Sequence, residues 1–268
     1  MENAFLDIEE QVIMDRFAQD GYVFIPIKDQ SRLDGLRNQI FEKVKKDLDL
    51  DSSLDINEFY DYTDKYVSVD KLNQVRVSLI SMLNSDSQTR PLMYALAKQY
   101  IWWIVGNELA MQRTVNLSIQ LSGDTSSLLP IHSDVWMGNS PYEVVFWLPL
   151  VDCYKTKSMY VLPLGKSNEV FNDFEQYSKM SAEEFFKSIE KDAVWLDVPY
   201  GKAVVFSHSI LHGNVPNAED KTRWSFNVRF KSLLTPYADK ALGESFLPIT
   251  ARPATKVGVN YIKPRCVV

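Results

Sequence analysis

The pattern that most limits the fold begins near residue 113. Val115, Leu117, Ile119 and Leu121 alternate with Asn116, Ser118 and Gln120, the period of a half-buried strand. Residues 143–150 and 159–164 are nearly all apolar, 193–198 and 202–206 follow, and 223–230 alternates again with Arg223, Ser225, Asn227 and Arg229 on one side. Strands separated by short polar turns, with a helical pattern only around 178–190, predict a β-sandwich or jelly roll.

The sequence before 113 reads differently. Asp7 and Glu10 have capping-box spacing ahead of Ile8, Val12, Ile13 and Phe17, and Gly21 ends that helix. Tyr22–Ile25 then reads as a short strand stopped by Pro26. Ser31 is placed to cap a helix running to Leu48, residues 70–83 suit another, and Pro91 suits the first turn of one ending at Gly106. Residues 49–68 are acidic and irregular, a loop and a candidate lid, as is 135–142. The expected class is α+β, one domain over 1–268: a mainly helical buttress (1–112), a jelly-roll core (113–235) and a C-terminal extension (236–268).

A hydrophobic fraction of 46% is ample for a core, and a net charge of −6 without a long basic run argues against nucleic acid or anionic membranes as partners. The N-terminus lacks the basic flank and apolar run of a signal peptide, and no apolar stretch approaches membrane-spanning length. A cytoplasmic protein is expected, with no indication of oligomeric state. Cys153 and Cys266 fit no metal or redox spacing, and nothing in that spacing argues for a disulfide.

The chain has three histidines. His132 stands two before Asp134, and His212 follows 80 positions later. In an extended segment residues two apart share a face, so His132 and Asp134 would project together and His212 would complete a facial triad. Imidazole and carboxylate suit Fe(II), Mn(II) or Zn(II) alike. Taken alone, the same spelling serves a surface histidine beside a solvated aspartate. Three features favour the metal: Arg223, placed to clamp a carboxylate bidentately; Gly213, which frees the backbone to turn beside a ligand; and the apolar strand ending at Pro163. Arg229 is the alternative clamp. Asn116, Ser118 and Gln120 offer a polar strand face that either meets solvent or lines the pocket. His208, four before His212, reads as a supporting residue, and Trp102-Trp103 as helix packing.

The set Ile131-His132-Ser133-Asp134, Tyr160-Val161-Leu162-Pro163, His212-Gly213-Asn214 and Arg223 resembles the Fe(II)/2-oxoglutarate-dependent oxygenases. Within them it looks like the phytanoyl-CoA dioxygenase-like branch, whose usual opening Phe17-Ala18-Gln19-Asp20-Gly21-Tyr22-Val23 resembles. The blocks at 107–113, 126–132 and 148–154 are similar to bacterial oxygenases found sporadically in carbohydrate-biosynthesis gene clusters. The resemblance runs from about residue 10 to 235. It implies a double-stranded β-helix core, iron on His132, Asp134 and His212, and Arg223 on the distal carboxylate of 2-oxoglutarate, with O2 as the other cosubstrate. It also implies that Trp147 packs against that cosubstrate and that Asn214 stands where a small hydroxyl residue is common. Asn116 and Gln120 are further expected contacts from the polar strand face. Related halogenases lack the carboxylate, so Asp134 favours hydroxylation. The expected substrate is small and polar, such as a sugar, a nucleotide-sugar or a surface-polysaccharide precursor. The alternatives are a metal-dependent cupin-like sugar isomerase or epimerase, and a non-catalytic binding protein with a degenerate site.

Overall fold

The computed structural model describes residues 5–125 and 127–264; Ser126 and Cys266 lie outside the described residues. Helix α1 (Ile8–Asp20) starts after Asp7, whose side chain makes no capping bond, so the expected box does not form. Ile8 and Val12 stay exposed, while Ile13 and Phe17 pack on the core. The helix stops at Gly21, left-handed at φ 78°. A Cβ there would come 2.4 Å from Ile210 Cγ2, so backbone and packing both require glycine. Strand β1 (Tyr22–Pro26) follows, then α2 (Gln30–Asp47), whose N-cap is Asp29, accepting from Arg32 N, rather than Ser31.

The segment 49–68 is not a loop or a lid. It holds α3 (Ile56–Asp61), capped by Asp55, and a short 3-10 turn. Phe59, Tyr60, Thr63 and Val67 are fully buried, and Thr63 Oγ1 accepts a 2.8 Å hydrogen bond from Trp224 Nε1. The acidic residues cap and flank this element while its rings enter the core. Helices α4 (Val69–Ser85) and α5 (Thr89–Val105) match the expected ones.

The remaining elements are β2 (Leu109–Gln112), β3 (Asn116–Gln120), β4 (Glu143–Pro149), β5 (Tyr160–Val161), α6 (Leu164–Asn172), α7 (Phe174–Tyr177), α8 (Ala182–Ile189), β6 (Val194–Trp195), β7 (Lys202–Ser207), β8 (His212–Gly213), β9 (Arg223–Ser232), β10 (Phe246–Thr250) and α9 (Pro253–Val259). Helix content here begins at 164, earlier than the 178–190 pattern, and the apolar runs around β5 and β6 pair over two residues each.

Two antiparallel sheets result. The larger runs β1-β7-β4-β9-β2-β10, with β3 also on β9; the smaller runs β6-β5-β8. The ten-residue β9 organises the larger sheet. Along one edge its first half pairs with β3 and its second half with β2, while β4 borders the other edge. Strands β1, β2 and β10 thus lie outside the 113–235 span expected for the core. On β9, Trp224 meets the rings of Phe59 and Tyr60, and Phe230 meets Tyr94, so this face lies on the helices. Arg223, Ser225, Asn227 and Arg229 point the other way, as the two-residue strand period requires. A second apolar cluster, including Tyr160, Leu162, Phe185 and Leu211, joins the small sheet to α6–α8. No described helix is long and apolar enough to cross a membrane.

Candidate metal centre

The small sheet carries two of the three expected ligands. His132 forms an isolated bridge with His212 at the edge of β8, His132 N donating to His212 O at 3.0 Å and His212 N to His132 O at 2.9 Å. The two rings are therefore fixed side by side, their centroids 4.3 Å apart. Asp134 is not extended as expected but opens a short 3-10 turn (Asp134–Met137). The turn still returns its carboxylate to the imidazoles, with His132 Nε2 3.9 Å from Asp134 Oδ1. One donor atom from each of His132, Asp134 and His212 lies within 4.8 Å of the others, an arrangement that can hold a metal ion.

The hydrogen bonds around the rings suit that use. His132 Nδ1 lies 2.8 Å from Pro130 O and His212 Nδ1 3.1 Å from Ile210 O. A carbonyl only accepts, so each Nδ1 carries the proton and each Nε2 is left with its lone pair, the tautomer a metal ligand needs. Burial pushes the pKa of His212 down to about 4, keeping it neutral near pH 7.

Asp134 is held from two sides. Arg229 Nη2 donates to Oδ1 at 3.1 Å, and His208 Nε2 lies 3.5 Å from Oδ2. Burial works against its charge, but Arg229 and the imidazoles of His208, His212 and His132 outweigh it, and its pKa falls well below the carboxylate range. His208 is fully buried, and burial takes its pKa to about 3. Its Nδ1 lies 3.3 Å from Oε2 of Glu143, whose carboxyl is itself raised by burial. His208 thus lies between the site carboxylate and a second buried one, without a hydrogen bond from either ring nitrogen among the described residues.

One cavity of about 220 Å³ brings together His132, Asp134, His212, Arg223, Arg229 and Trp147. Arg223 is 4% exposed; its Nη1 donates to Ser158 O at 3.0 Å, and its Nε has no partner among the described residues. Arg229, the alternative clamp, is instead committed to Asp134 and Gln112. Asn214 borders the cavity, but its side chain is occupied elsewhere: Oδ1 accepts from Leu129 N at 2.6 Å and Nδ2 donates to Ser127 O at 3.3 Å. Its length, compared with a small hydroxyl residue, lets it tie down the loop before His132.

The polar face of β3 contributes differently than expected. Of Asn116, Ser118 and Gln120, only Ser118 lines the cavity. Gln120 donates to Val215 O at 2.9 Å, and Asn116 lies at the far end of the strand, opposite Asn227. Alternation puts all three on one face, but only the middle position, across from Ser225, meets the cavity. Ser225, two residues after Arg223, is buried with an unpartnered hydroxyl.

The role of Gly213 also differs from the expected sharp turn. Its φ is not left-handed; a Cβ there would meet Tyr160 Oη at 2.6 Å and Leu129 O at 3.0 Å. Space, not backbone freedom, selects glycine beside His212. In the 135–142 segment, Met137 borders the cavity and Trp136 packs on Phe171 and Phe174, while Asn139 and Ser140 are buried. Lys240, from the expected C-terminal extension, borders the cavity as well. No local sequence pattern marks it, because the turn after β9 carries it there.

No family model and no curated protein matches the chain. Solved structures do. The non-heme monooxygenase ThoJ, as a nickel complex, superposes with a TM-score of 0.57 at 16% identity, covering 91% of this chain and 85% of that one. The α-ketoglutarate-dependent carbocyclase SnoK of nogalamycin biosynthesis gives 0.56 at 15% identity, covering 91% and 97%. The epimerase SnoN, in complex with Fe3+, α-ketoglutarate and nogalamycin RO, gives 0.50 at 15%, covering 91% and 96%. The chain therefore shares the fold of these non-heme enzymes, a mix of helices and antiparallel sheet.

Proposed function

We propose that the protein is an Fe(II)- and 2-oxoglutarate-dependent oxygenase in which His132, Asp134 and His212 hold iron and Arg223 holds the distal carboxylate of 2-oxoglutarate. The observation that carries the reading is a single cavity containing two imidazoles whose Nδ1 atoms face carbonyls, a carboxylate beside them held by Arg229, and a buried arginine without a counter-ion among the described residues. Hard and borderline donors of this kind suit Fe(II) and leave coordination positions open. Bound there, iron with 2-oxoglutarate and O2 supplies oxidation of a substrate C–H bond, with carbon dioxide and succinate as by-products.

The chain's own residues orient and exclude. Arg223 supplies a planar pair of donors to a carboxylate, with the Ser225 hydroxyl on the same strand face. Trp147, 2% exposed, closes the wall behind it. The hydrogen bond from Arg229 fixes the direction of Asp134, and His208 packs beside its other oxygen. We read the two sheets as the halves of a double-stranded β-helix within one domain, and the motif set as that of the phytanoyl-CoA dioxygenase-like branch.

Because Asp134 fills the third ligand position, oxidation without halide transfer is favoured, and hydroxylation of a sugar, nucleotide-sugar or polysaccharide precursor is the reaction we assign. The fold neighbours include an epimerase and a carbocyclase that depend on α-ketoglutarate, which makes stereochemical inversion or ring closure the second reading. Anaerobic addition of Fe(II) and 2-oxoglutarate to the folded protein should give a visible metal-to-ligand charge-transfer band, and its absence sinks the assignment. Succinate formation across a panel of sugars and nucleotide-sugars then identifies the substrate, and product analysis separates hydroxylation from inversion.

A further inference from the structure

The cavity at the metal centre shares two of its walls, Arg229 and Lys240, with a second cavity of about 210 Å³. The end of β2 and the connection from β9 to β10 build this second chamber. Arg113 N donates to Ser245 O at 2.9 Å, Arg113 Nη2 donates to Gly243 O, and Lys240 N donates to Gly138 O at 3.3 Å. Three cations, Arg113, Arg229 and Lys240, line the chamber, with Glu244 as its one carboxylate.

These charges are poorly matched within the protein. Arg229 is paired with Asp134. Among the described residues, neither Arg113 nor the Lys240 ammonium has an ion-pair partner. Lys240 is partly buried and faces Arg229, and burial and that like charge push its pKa down against the opposing pull of Asp134 and Glu143. An unpaired ammonium held beside a guanidinium is costly unless an anion joins them. On the reading of the metal centre given above, the charges of iron(II), Asp134, Arg223 and a doubly negative cosubstrate cancel. Among the residues that line the chamber, Arg113, Arg229 and Lys240 are then opposed by Glu244 alone, an excess of two positive charges; Glu143 acts on Arg229 and Lys240 from outside the lining, and burial pushes its carboxyl toward the neutral form.

We propose that this second chamber binds a phosphate group of the substrate, whose remaining part reaches past Arg229 and Lys240 to the metal. A phosphate monoester carries about −1.5 to −2 charge near pH 7 and three strong acceptor oxygens, which matches the excess charge and the number of donors. Lysine serves phosphate as a point charge and arginine as a fork. The inference deepens the oxygenase reading and rests on it: the substrate class becomes phosphorylated, a sugar phosphate if the sugar assignment holds.

The test uses the metal-free full-length protein and inorganic phosphate, titrated calorimetrically at low ionic strength, with acetate as the comparison anion. We expect saturable binding of one phosphate per chain, and acetate weaker by about tenfold or more. Lys240→Ala and Arg113→Ala should each weaken phosphate about tenfold, Lys240→Arg should keep most of the affinity, and Arg223→Met should leave it unchanged. Both alanine positions are partly or fully exposed, and unfolding curves confirm that each variant is folded. No saturation below about 50 mM, an affinity indifferent to Lys240 and Arg113, or a loss confined to Arg223→Met overturns the proposal. Failure here is distinct from failure of the oxygenase reading, since the Fe(II)–2-oxoglutarate absorption band is measured without phosphate and should persist in Lys240→Ala.

Discussion

Replacing Arg223 by Met should strengthen the fold while removing cosubstrate binding. The guanidinium is 4% exposed and, among the described residues, has one hydrogen bond, to Ser158 O, and no counter-ion. Burial lowers its pKa to about 10, and at about 1.4 kcal/mol for each pH unit below the free guanidinium the cost of burying that charge is roughly 3 kcal/mol. The lost bond to Ser158 O offsets about 1 kcal/mol of this. The metal-free variant should therefore gain roughly 2 kcal/mol, an upward shift in Tm of roughly 4 °C for a chain of this size. Binding moves the opposite way. Two charge-assisted hydrogen bonds to a carboxylate are worth about 1.5–3 kcal/mol each, so the Kd for 2-oxoglutarate should rise by a factor on the order of 100 or more. Calorimetric melting of the metal-free protein and anaerobic titration of the charge-transfer band read the two effects separately. A variant that melts several degrees lower yet binds 2-oxoglutarate normally would refute the reasoning and make Arg223 a structural residue.

Acid should destabilise the metal-free protein earlier than its carboxylates alone would. His208 and His212 titrate at about 3 and 4 in the fold but at about 6.5 when unfolded, so the unfolded chain binds more protons in between. Stability is complete above about pH 6.5 and declines toward pH 4 by roughly 3 kcal/mol for each ring; urea unfolding at several pH values should show this slope, reduced by about half in His208→Gln. Gly213→Ala pushes a methyl group against Tyr160 Oη and Leu129 O and should weaken iron binding about 10–100-fold with the protein still folded, measurable by competition with a chelator. Asn214→Ala releases Leu129 N and Ser127 O and should cost about 1–3 kcal/mol of stability with 2-oxoglutarate affinity nearly unchanged; a large loss of that affinity would instead return Asn214 to the cosubstrate.

Much of the fold was legible because it follows from periodicity. The alternation at 115–121 and 223–230 marked two paired strands, and it separated the polar face of β9 from the face that meets the helices. The 49–68 segment misled because its acidic residues dominate the composition, whereas Phe59, Tyr60 and Thr63 decide its structure by burying against Trp224. Strands β2 and β10 were missed since strands of four or five residues carry little signal until β9 offers β2 a partner and β2 in turn offers β10 one. At the site, the residues that share the cavity, His132, Asp134, His212 and Arg223, could be picked out as candidates from residue type and spacing, but their neighbours could not. Gln120 and Asn116 share a face with Ser118, and only the depth of the cavity distinguishes them.

The sequence by itself determined which side chains are available for chemistry: two histidines and a carboxylate at ligand spacing, and an arginine on the polar face of a strand. Local residue type and strand period suffice for that, because both act over a few neighbouring positions. The tertiary structure alone decided what each is paired with. Arg229 went to Asp134 and left Arg223 without a counter-ion among the described residues, His208 came to lie between two buried carboxylates, and the turn after β9 carried Lys240 to the cavity wall. Such pairings join residues about 65 to 100 positions apart, where the strand order of the larger sheet, not the local sequence, brings charges into contact.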